Sequence, residues 1–157
     1  MIDFCSNDYL GFAKEASIHN SAIRLLSDSN QIKNGASGSR LLSGNHPLYE
    51  KLEIKLSGTF GSESALVFNS GYDANIGFFS CVPQRGDVVF YDELIHASIR
   101  DGIKMGNAKS YKFRHNDLDE LRSKCQTERI RSPKDAEIYI VTESIFSMDG
   151  DSPDLKS

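Results

Sequence analysis

Apolar residues in the middle of the chain recur with the spacing of a helix. Leu48, Leu52, Leu56 and Phe60 follow one another at intervals of four residues, and Pro47 stands just before them. Residues four apart lie on the same face of an α-helix, and proline is favoured in its first turn. The pattern predicts a helix that begins near Pro47 and buries one side.

Further along the chain, short apolar runs alternate with helical stretches. The runs that predict strands are 65–68, 87–91, 109–113 and 137–141. Helical patterns cover 75–79 and 97–105, and Asp117 suits the N-cap of a helix that carries Leu118 and Leu121. Strands separated by helices favour a mostly parallel sheet with helices on both faces. The predicted fold class is therefore α/β.

A loop precedes this alternating region. Glycine, serine and asparagine are concentrated at 34–45, in the sequence NGASGSRLLSGN, and such residues favour turns over helices and strands. We expect this loop to end an N-terminal segment, 1–44, and a main domain to follow at 45–157.

Composition narrows the function classes. The chain is 39% hydrophobic and 25% charged, which is typical of a globular domain, and its net charge of −4 disfavours nucleic acid or anionic lipid as a partner. No apolar run approaches the length of about 20 residues that crosses a bilayer, and the first residues lack the layout of a signal peptide. We expect a cytoplasmic protein without a membrane partner.

The cysteines and histidines do not indicate a metal site. Cys5, Cys81 and Cys125 are widely separated, none forms a CxxC pair, and the four histidines also lack the spacing of metal ligands. We expect reduced, structural thiols and no bound metal.

Polar residues follow the predicted strands at the points where ligands bind in α/β sheets. Gly71 and Tyr72 lie in the turn after the first strand, where their N–H groups would begin a helix and favour a phosphate. His96 follows the second strand and could stack on a planar cofactor or exchange protons. Taken alone, Gly71 could simply fit a tight turn, and His96 could be structural.

A third group of polar residues follows the last predicted strand. Glu143 comes directly after the apolar run 137–141, and Ser147 lies four residues further on. Side chains in this position can meet a ligand. The dipeptide Asp149–Gly150 also explains the segment as an ordinary turn, so this pattern does not by itself identify a reaction.

Six segments, taken together and in order, resemble the α-oxoamine synthases. They are CSNDYLG (5–11), GASGSRLLSGNHPLYEKLE (35–53), FNSGYDAN (68–75), DELIHASIRDG (92–102), HND (115–117) and VTESIFSMDGD (141–151). The resemblance implies a fold-type I pyridoxal-phosphate enzyme and the first part of its aminotransferase-like large domain. A generic nucleotide-binding module is the weaker alternative, because the chain contains neither GxGxxG nor GxxxxGK[ST].

The implied activity is a decarboxylative condensation. Enzymes of the family use pyridoxal 5'-phosphate to join an amino acid to an acyl-CoA thioester, with release of carbon dioxide and CoA. CSNDYLG and GASGSRLLSG are most similar to the branch that joins L-alanine to a pimeloyl thioester in biotin synthesis. Branches that use glycine or serine with other acyl-CoAs stay open.

The resemblance also implies roles for residues of the cofactor site. The N–H groups of Gly71 and Tyr72 would hold the cofactor phosphate, with Ser70 and Asn75 nearby. His96 would lie against the face of the pyridine ring and act in catalysis.

Other matched positions concern the reacting groups. Glu143 and Ser147 match catalytic positions beside the cofactor, where Ser147 could reach the phenolic oxygen. Asn7 matches a residue that helps to bind the carboxylate of the amino acid. Ser39 and Arg40 belong to a loop near the acyl-CoA.

In the family, the lysine that forms the Schiff base lies downstream of the segment that matches 141–151. Lys104, Lys109, Lys112 and Lys124 stand in segments unlike that lysine motif. We therefore expect the chain to be the N-terminal part of a longer enzyme and inactive alone, with the intact enzyme a homodimer. The alternative is a non-catalytic folding subdomain or split subunit.

Overall fold

The computed structural model describes residues 5–28 and 35–155. These residues fall into two compact units, which divide between Ala65 and Leu66. The first unit contains the helices α1 (Ala16–Asp28) and α2 (Pro47–Phe60), preceded by a short 3-10 turn at Phe12–Lys14. The elements of the second unit are α3 (Gly71–Cys81), β1 (Val88–Asp92), α4 (Ala97–Met105), β2 (Lys109–Phe113), α5 (Leu118–Arg131) and β3 (Ile138–Val141).

Helix α2 begins and ends with local signals that are visible in the sequence. His46 is its N-cap and accepts the N–H of Leu48 on Nδ1 at 3.2 Å, and Pro47 occupies the first helical position. Gly61 ends the helix in the left-handed conformation, at φ 65°, which glycine adopts without steric cost. The predicted start of this helix near Pro47 is confirmed.

The sheet of the second unit is parallel, with the strand order β2-β1-β3. In the register, Val88 of β1 pairs with Lys109 of β2 and with Ile138 of β3. Side chains therefore alternate between two faces, and the carboxyl ends of the strands meet at one edge. This is the α/β architecture that the alternation of strands and helices predicts.

Each face of the sheet has its own apolar core. On one face, Val89 and Val141 pack with the buried isoleucines Ile95, Ile99 and Ile103 from α4 and the segment before it. On the other face, the core consists of Val88, Phe90, Phe113 and Leu121, the last from α5. Because helices cover both faces, the polar edge at the carboxyl ends of the strands is left for other contacts.

The strand predicted at 65–68 is wrong. Residues 65–68 belong to none of the strands or helices in the described part of the chain, and Leu66 is 65% exposed. A strand needs a neighbour to complete its backbone hydrogen bonds, and the described three-stranded sheet, β2-β1-β3, does not include this segment. The strands predicted at 87–91, 109–113 and 137–141 and the helix at 97–105 are confirmed, with bounds that agree within one residue.

Helices α3 and α4 approach closely at a glycine. A Cβ atom placed on Gly102 would lie 2.8 Å from the backbone oxygen of Asn75 and 3.0 Å from the Cβ of Phe79. We expect Gly102→Ala to force the helices apart and to lower the free energy of unfolding by about 1–3 kcal/mol, as measured by urea denaturation. Gly58→Ala in α2 is the control, since its Cβ would meet nothing within 4 Å, and unchanged or increased stability is expected there. Equal effects of the two substitutions would contradict this explanation.

No helix in the described residues is both long enough and apolar enough to span a membrane.

Candidate functional site

The N-terminus of α3 presents two free amide groups. The Oγ of Ser70 caps the helix by accepting the N–H of Asp73 at 3.0 Å, and the carbonyl of Ser70 accepts the N–H of Ala74 at 3.1 Å. The N–H groups of Gly71 and Tyr72 have no acceptor within the described residues. A Cβ on Gly71 would meet nothing within 4 Å, so there is open space beside these donors. Such a helix N-terminus can hold an anion.

His96 is fixed at the N-terminus of α4 by its own helix. The Nδ1 atom accepts the backbone N–H of Ser98 at 3.2 Å and lies 2.7 Å from the Oγ of that residue. Because a backbone amide donates to Nδ1, the neutral imidazole carries its proton on Nε2. The ring is thereby held in one orientation while the residue stays exposed to solvent.

Asn75 connects the two helices at this point. Its Nδ2 donates to the Oγ of Ser98 at 2.9 Å, and Ser98 is fully buried. Since the Oγ of Ser98 accepts this hydrogen bond, its hydroxyl proton can be donated to the Nδ1 of His96. A continuous chain of hydrogen bonds therefore runs from Asn75, in the second turn of α3, to the imidazole.

Glu143 joins this chain from the end of β3. Its Oε1 accepts the backbone N–H of His96, a contact between residues that are 47 positions apart. The structure thus brings together three of the residues predicted for the site, Asn75, His96 and Glu143, at the carboxyl edge of the sheet. We refer to Asn75, Ser98, His96 and Glu143 as the His96 network.

Ser147 is not connected to the His96 network. It lies exposed in a turn beyond β3, and no hydrogen bond to its side chain is present in the described portion of the chain. Its predicted role at the cofactor stays a prediction.

Tyr72 makes a side-chain contact in addition to its free amide. Its hydroxyl donates to Oδ2 of Asp101 on α4 at 2.5 Å, and this hydrogen bond raises the pKa of Tyr72. The contact gives α3 and α4 a second polar link besides that between Asn75 and Ser98.

Two parts of this edge were not predicted from the sequence. Ser98 was missed, although a serine two residues after a capping histidine is a visible local signal. His115 was noted only as part of HND, yet its Nδ1 lies 2.9 Å from Oδ1 of Asp92 and its Nε2 lies 2.8 Å from Oδ2 of Asp151. The partners of His115 are distant in the sequence, so no local pattern indicates them.

The predicted substrate residues lie in the first unit. Asn7 and Ser39 are exposed, and the carbonyl of Ser39 accepts the N–H of Gly44 at 2.8 Å, which closes the loop. The guanidinium of Arg40 makes a bidentate ion pair with Glu53, with N–O distances of 2.7 and 3.0 Å. These contacts are within the unit, and the substrate roles of Asn7, Ser39 and Arg40 stay predictions.

A cleft of about 320 Å³ lies beside this loop, within the first unit. Leu26, Leu48 and Leu52 supply apolar walls, and Ser37 and His46 supply polar groups. A mostly apolar cleft with a few polar groups is typical of a small-molecule site.

No group of three or more potential metal ligands occurs among the described residues. The groups that the carboxyl edge offers are two amides, an oriented imidazole and a carboxylate, and this combination suits an anionic, planar ligand.

The whole sequence, residues 1–157, matches the family described as Aminotransferase class I and II. The chain belongs to this aminotransferase family. Its relatives include a protein of Bacillus cereus (strain G9842) with the provisional name 8-amino-7-oxononanoate synthase. The two are 44% identical over 156 residues, which are 99% of this chain and 38% of the relative. The chain thus spans well under half the length of the curated relatives that it matches.

Two solved structures share the fold of this chain. Serine palmitoyltransferase from S. paucimobilis, with bound PLP and myriocin, matches with a TM-score of 0.84 and 32% identity, over 96% of this chain and 37% of that one. The 8-amino-7-oxononanoate synthase from Francisella tularensis matches with a TM-score of 0.71 and 26% identity, over 97% and 39%. Both are α-oxoamine synthases, the family that the six sequence segments of this chain resemble.

Proposed function

We propose that the protein containing this chain is a pyridoxal-phosphate-dependent α-oxoamine synthase. It would join an amino acid to an acyl-CoA thioester and release carbon dioxide and CoA. The observation that carries the proposal is the His96 network, which links the N-terminus of α3 to an oriented imidazole and a carboxylate at one edge of the sheet. Relatives and structural neighbours of this chain bear the names of such enzymes.

The residues present fit pyridoxal phosphate. The free N–H groups of Gly71 and Tyr72 suit its phosphate, and the open space beside Gly71 allows close approach. The imidazole of His96 is fixed through Nδ1, so its face can pack against a planar ring. When bound, the cofactor supplies an electron sink for a carbanion, and the protein holds the reacting bond in the correct geometry.

Each residue has a separable task in this proposal. Gly71 and Tyr72 anchor the phosphate, and Ser70 caps the helix that presents their amides. Asn75 holds Ser98, and thereby the ring of His96, in place. Glu143 fixes the backbone of His96 from the end of β3.

Other assignments rest on the family resemblance. Ser147 would approach the phenolic oxygen of the cofactor. Asn7 would bind the carboxylate of the amino acid, and the loop with Ser39 and Arg40 would contribute to the acyl-CoA site. The intact enzyme would act as a homodimer in the cytoplasm.

L-Alanine and a pimeloyl thioester are the proposed substrates. The names of the curated relatives favour this pair. A second candidate pair is L-serine with a long-chain acyl-CoA, because the match to serine palmitoyltransferase has the higher TM-score, 0.84 against 0.71.

Release of CoA by the full-length protein distinguishes the two pairs. We expect kcat/KM for L-alanine with pimeloyl-CoA to exceed that for L-serine with palmitoyl-CoA by at least about ten-fold, because acyl and side-chain pockets discriminate by this order. The reverse preference would support the second pair. Absence of CoA release with every amino acid tested, in the presence of pyridoxal phosphate, would refute the proposed function.

A further inference from the structure

Three segments that are distant in the sequence meet at the imidazole of His115. Asp92 ends β1, His115 follows β2, and Asp151 belongs to the segment after β3, residues 142–151, which we call the β3 loop. Nδ1 of His115 lies 2.9 Å from Oδ1 of Asp92, and Nε2 lies 2.8 Å from Oδ2 of Asp151. We refer to Asp92, His115 and Asp151 as the His115 clamp.

The Asp92 side of the clamp is rigid. This carboxylate is fully buried and also accepts the N–H of Leu94 and of Asn116, each at 2.9 Å. The backbone N–H of His115 is bound separately, by Oε1 of Glu93 at 3.1 Å. The imidazole therefore projects from a fixed base toward the β3 loop.

The β3 loop is closed on itself next to the clamp. The N–H of Phe146 donates to the carbonyl of Asp151 at 2.9 Å, and the N–H of Gly150 donates to the carbonyl of Phe146 at 2.7 Å. Phe146 is buried, and its ring meets that of His115 edge-on with centroids 4.5 Å apart. Asn116 adds a hydrogen bond from Nδ2 to Oδ2 of Asp151 at 3.0 Å.

The loop is thus held at two points that flank Ser147. Glu143 contacts the backbone of His96 on one side of Ser147, and Asp151 contacts His115 on the other. A segment that is fixed at both ends has few conformations available, so the position of the residue between them is restricted.

Protonation of His115 decides whether both carboxylates can be bound. A protonated imidazole has two N–H donors and a neutral one has a single donor. The hydrogen bond to Asp92, followed by that to Asp151, raises the pKa of His115 above its ordinary value. With a raised folded-state pKa, the stabilisation is complete below the pKa of the unfolded chain and is lost as the pH rises through the folded pKa.

The other charged side chains near His115 do not bind its ring nitrogens. Glu93 faces the backbone of His115 and has Lys112 at 4.0 Å from its Oε2. Arg114 is paired with Asp117 at 2.6 Å and with Glu120 at 3.2 Å. Asp92 and Asp151 are therefore the two charges bound directly by the ring.

We propose that His115 is a positioning residue, which holds the β3 loop against the carboxyl edge of the sheet and so fixes Ser147 beside the cofactor site. The part that concerns Ser147 rests on the proposed function. The clamp itself can be tested without any turnover.

The test compares Asp151→Ala, Asp151→Asn and Asp149→Ala in the full-length protein. Asp151 is 46% exposed, so its replacement leaves the core intact. Asp149 is the matched control, because it is an exposed carboxylate of the same loop without a side-chain partner in the described residues. Amide hydrogen exchange of the β3 loop, the affinity for pyridoxal phosphate and kcat for CoA release are measured for each variant.

In Asp151→Ala, we expect exchange at Phe146 and Gly150 to become about ten-fold faster or more below the folded pKa of His115, since a charge-assisted hydrogen bond is lost. Asp151→Asn keeps an acceptor and is expected to be intermediate, and Asp149→Ala is expected to match the unmodified protein. Cofactor affinity is expected to fall in the same order. Raising the pH should accelerate loop exchange in the unmodified protein, beyond the intrinsic dependence, and should do so less in Asp151→Ala.

Unchanged loop exchange in Asp151→Ala would overturn the proposal, whether or not the protein binds the cofactor. Faster exchange with unchanged cofactor affinity and unchanged kcat would also overturn it, because the clamp would then be merely structural. If the unmodified protein does not bind pyridoxal phosphate, the proposed function is refuted; faster loop exchange in Asp151→Ala would still support the contact between His115 and Asp151 as the restraint on the loop.

Discussion

Replacement of His96 by alanine is expected to lower kcat/KM of the full-length enzyme by about a hundred-fold. The imidazole is held through Nδ1 by Ser98, which is held in turn by Asn75, so its face is presented in a single orientation. Loss of a group that keeps the reacting atoms aligned has an effect of this order. The measurement is steady-state CoA release over a range of amino-acid concentrations.

Two control variants distinguish loss of the imidazole's packing on the cofactor from a general disturbance of helix α4. His96→Phe keeps an aromatic face but has no Nδ1 acceptor, and we expect it to retain more activity than His96→Ala. Arg100→Ala changes an exposed residue one turn further along the same helix and is expected to behave as the unmodified enzyme. Equal activity of His96→Ala and the unmodified enzyme would exclude His96 from the cofactor site.

The elements that were predicted correctly are those with strong local signals. Helix α4 extends from Ala97 to Met105 as predicted, because an amphipathic pattern and a capping histidine both mark its start. Asp117 caps α5 through a hydrogen bond from the N–H of Glu120 at 2.8 Å, as its position before an apolar pair indicates. Local periodicity and capping chemistry determine such elements without reference to the rest of the fold.

The segment 65–68 shows where local reasoning fails. Its apolar residues have the composition of a buried strand, but a strand also requires a partner, and partners are set by non-local pairing. Helix α1, Ala16–Asp28, shows the converse, because it forms although no local pattern predicted it. Its serines and asparagine weaken the helical propensity, and its apolar residues are about half exposed.

Three residues of the His96 network, Asn75, His96 and Glu143, could be named from the sequence, but their hydrogen bonds could not. The motifs place His96 and Glu143 after different strands. Tyr91 of β1 pairs with Val141 of β3, so the two strands end side by side at the same edge of the sheet. The hydrogen bond between Glu143 and the backbone of His96 follows from that register. The strand register cannot be read from composition or residue spacing. Neither this contact nor the His115 clamp could therefore be inferred from the sequence.

Gly71→Pro is expected to weaken the binding of pyridoxal phosphate by about ten- to a hundred-fold relative to Gly71→Ala. Proline lacks the N–H group that would donate to the phosphate, and a hydrogen bond to a charged group is worth about 1.5–3 kcal/mol. Proline is tolerated at the first position of a helix, and it requires an extended residue before it. Ser70 already has such a conformation, with φ −153° and ψ 161°.

The comparison of Gly71→Pro with Gly71→Ala measures the contribution of the N–H group of residue 71 alone. Both substitutions add a Cβ, which meets nothing within 4 Å, and only proline removes the donor. Binding is measured by titration of the full-length protein with the cofactor, and circular dichroism checks that α3 is retained. If the two variants bind equally well, the amide of Gly71 does not hold the phosphate, and the N-terminus of α3 would lose its proposed role even though the fold is unchanged.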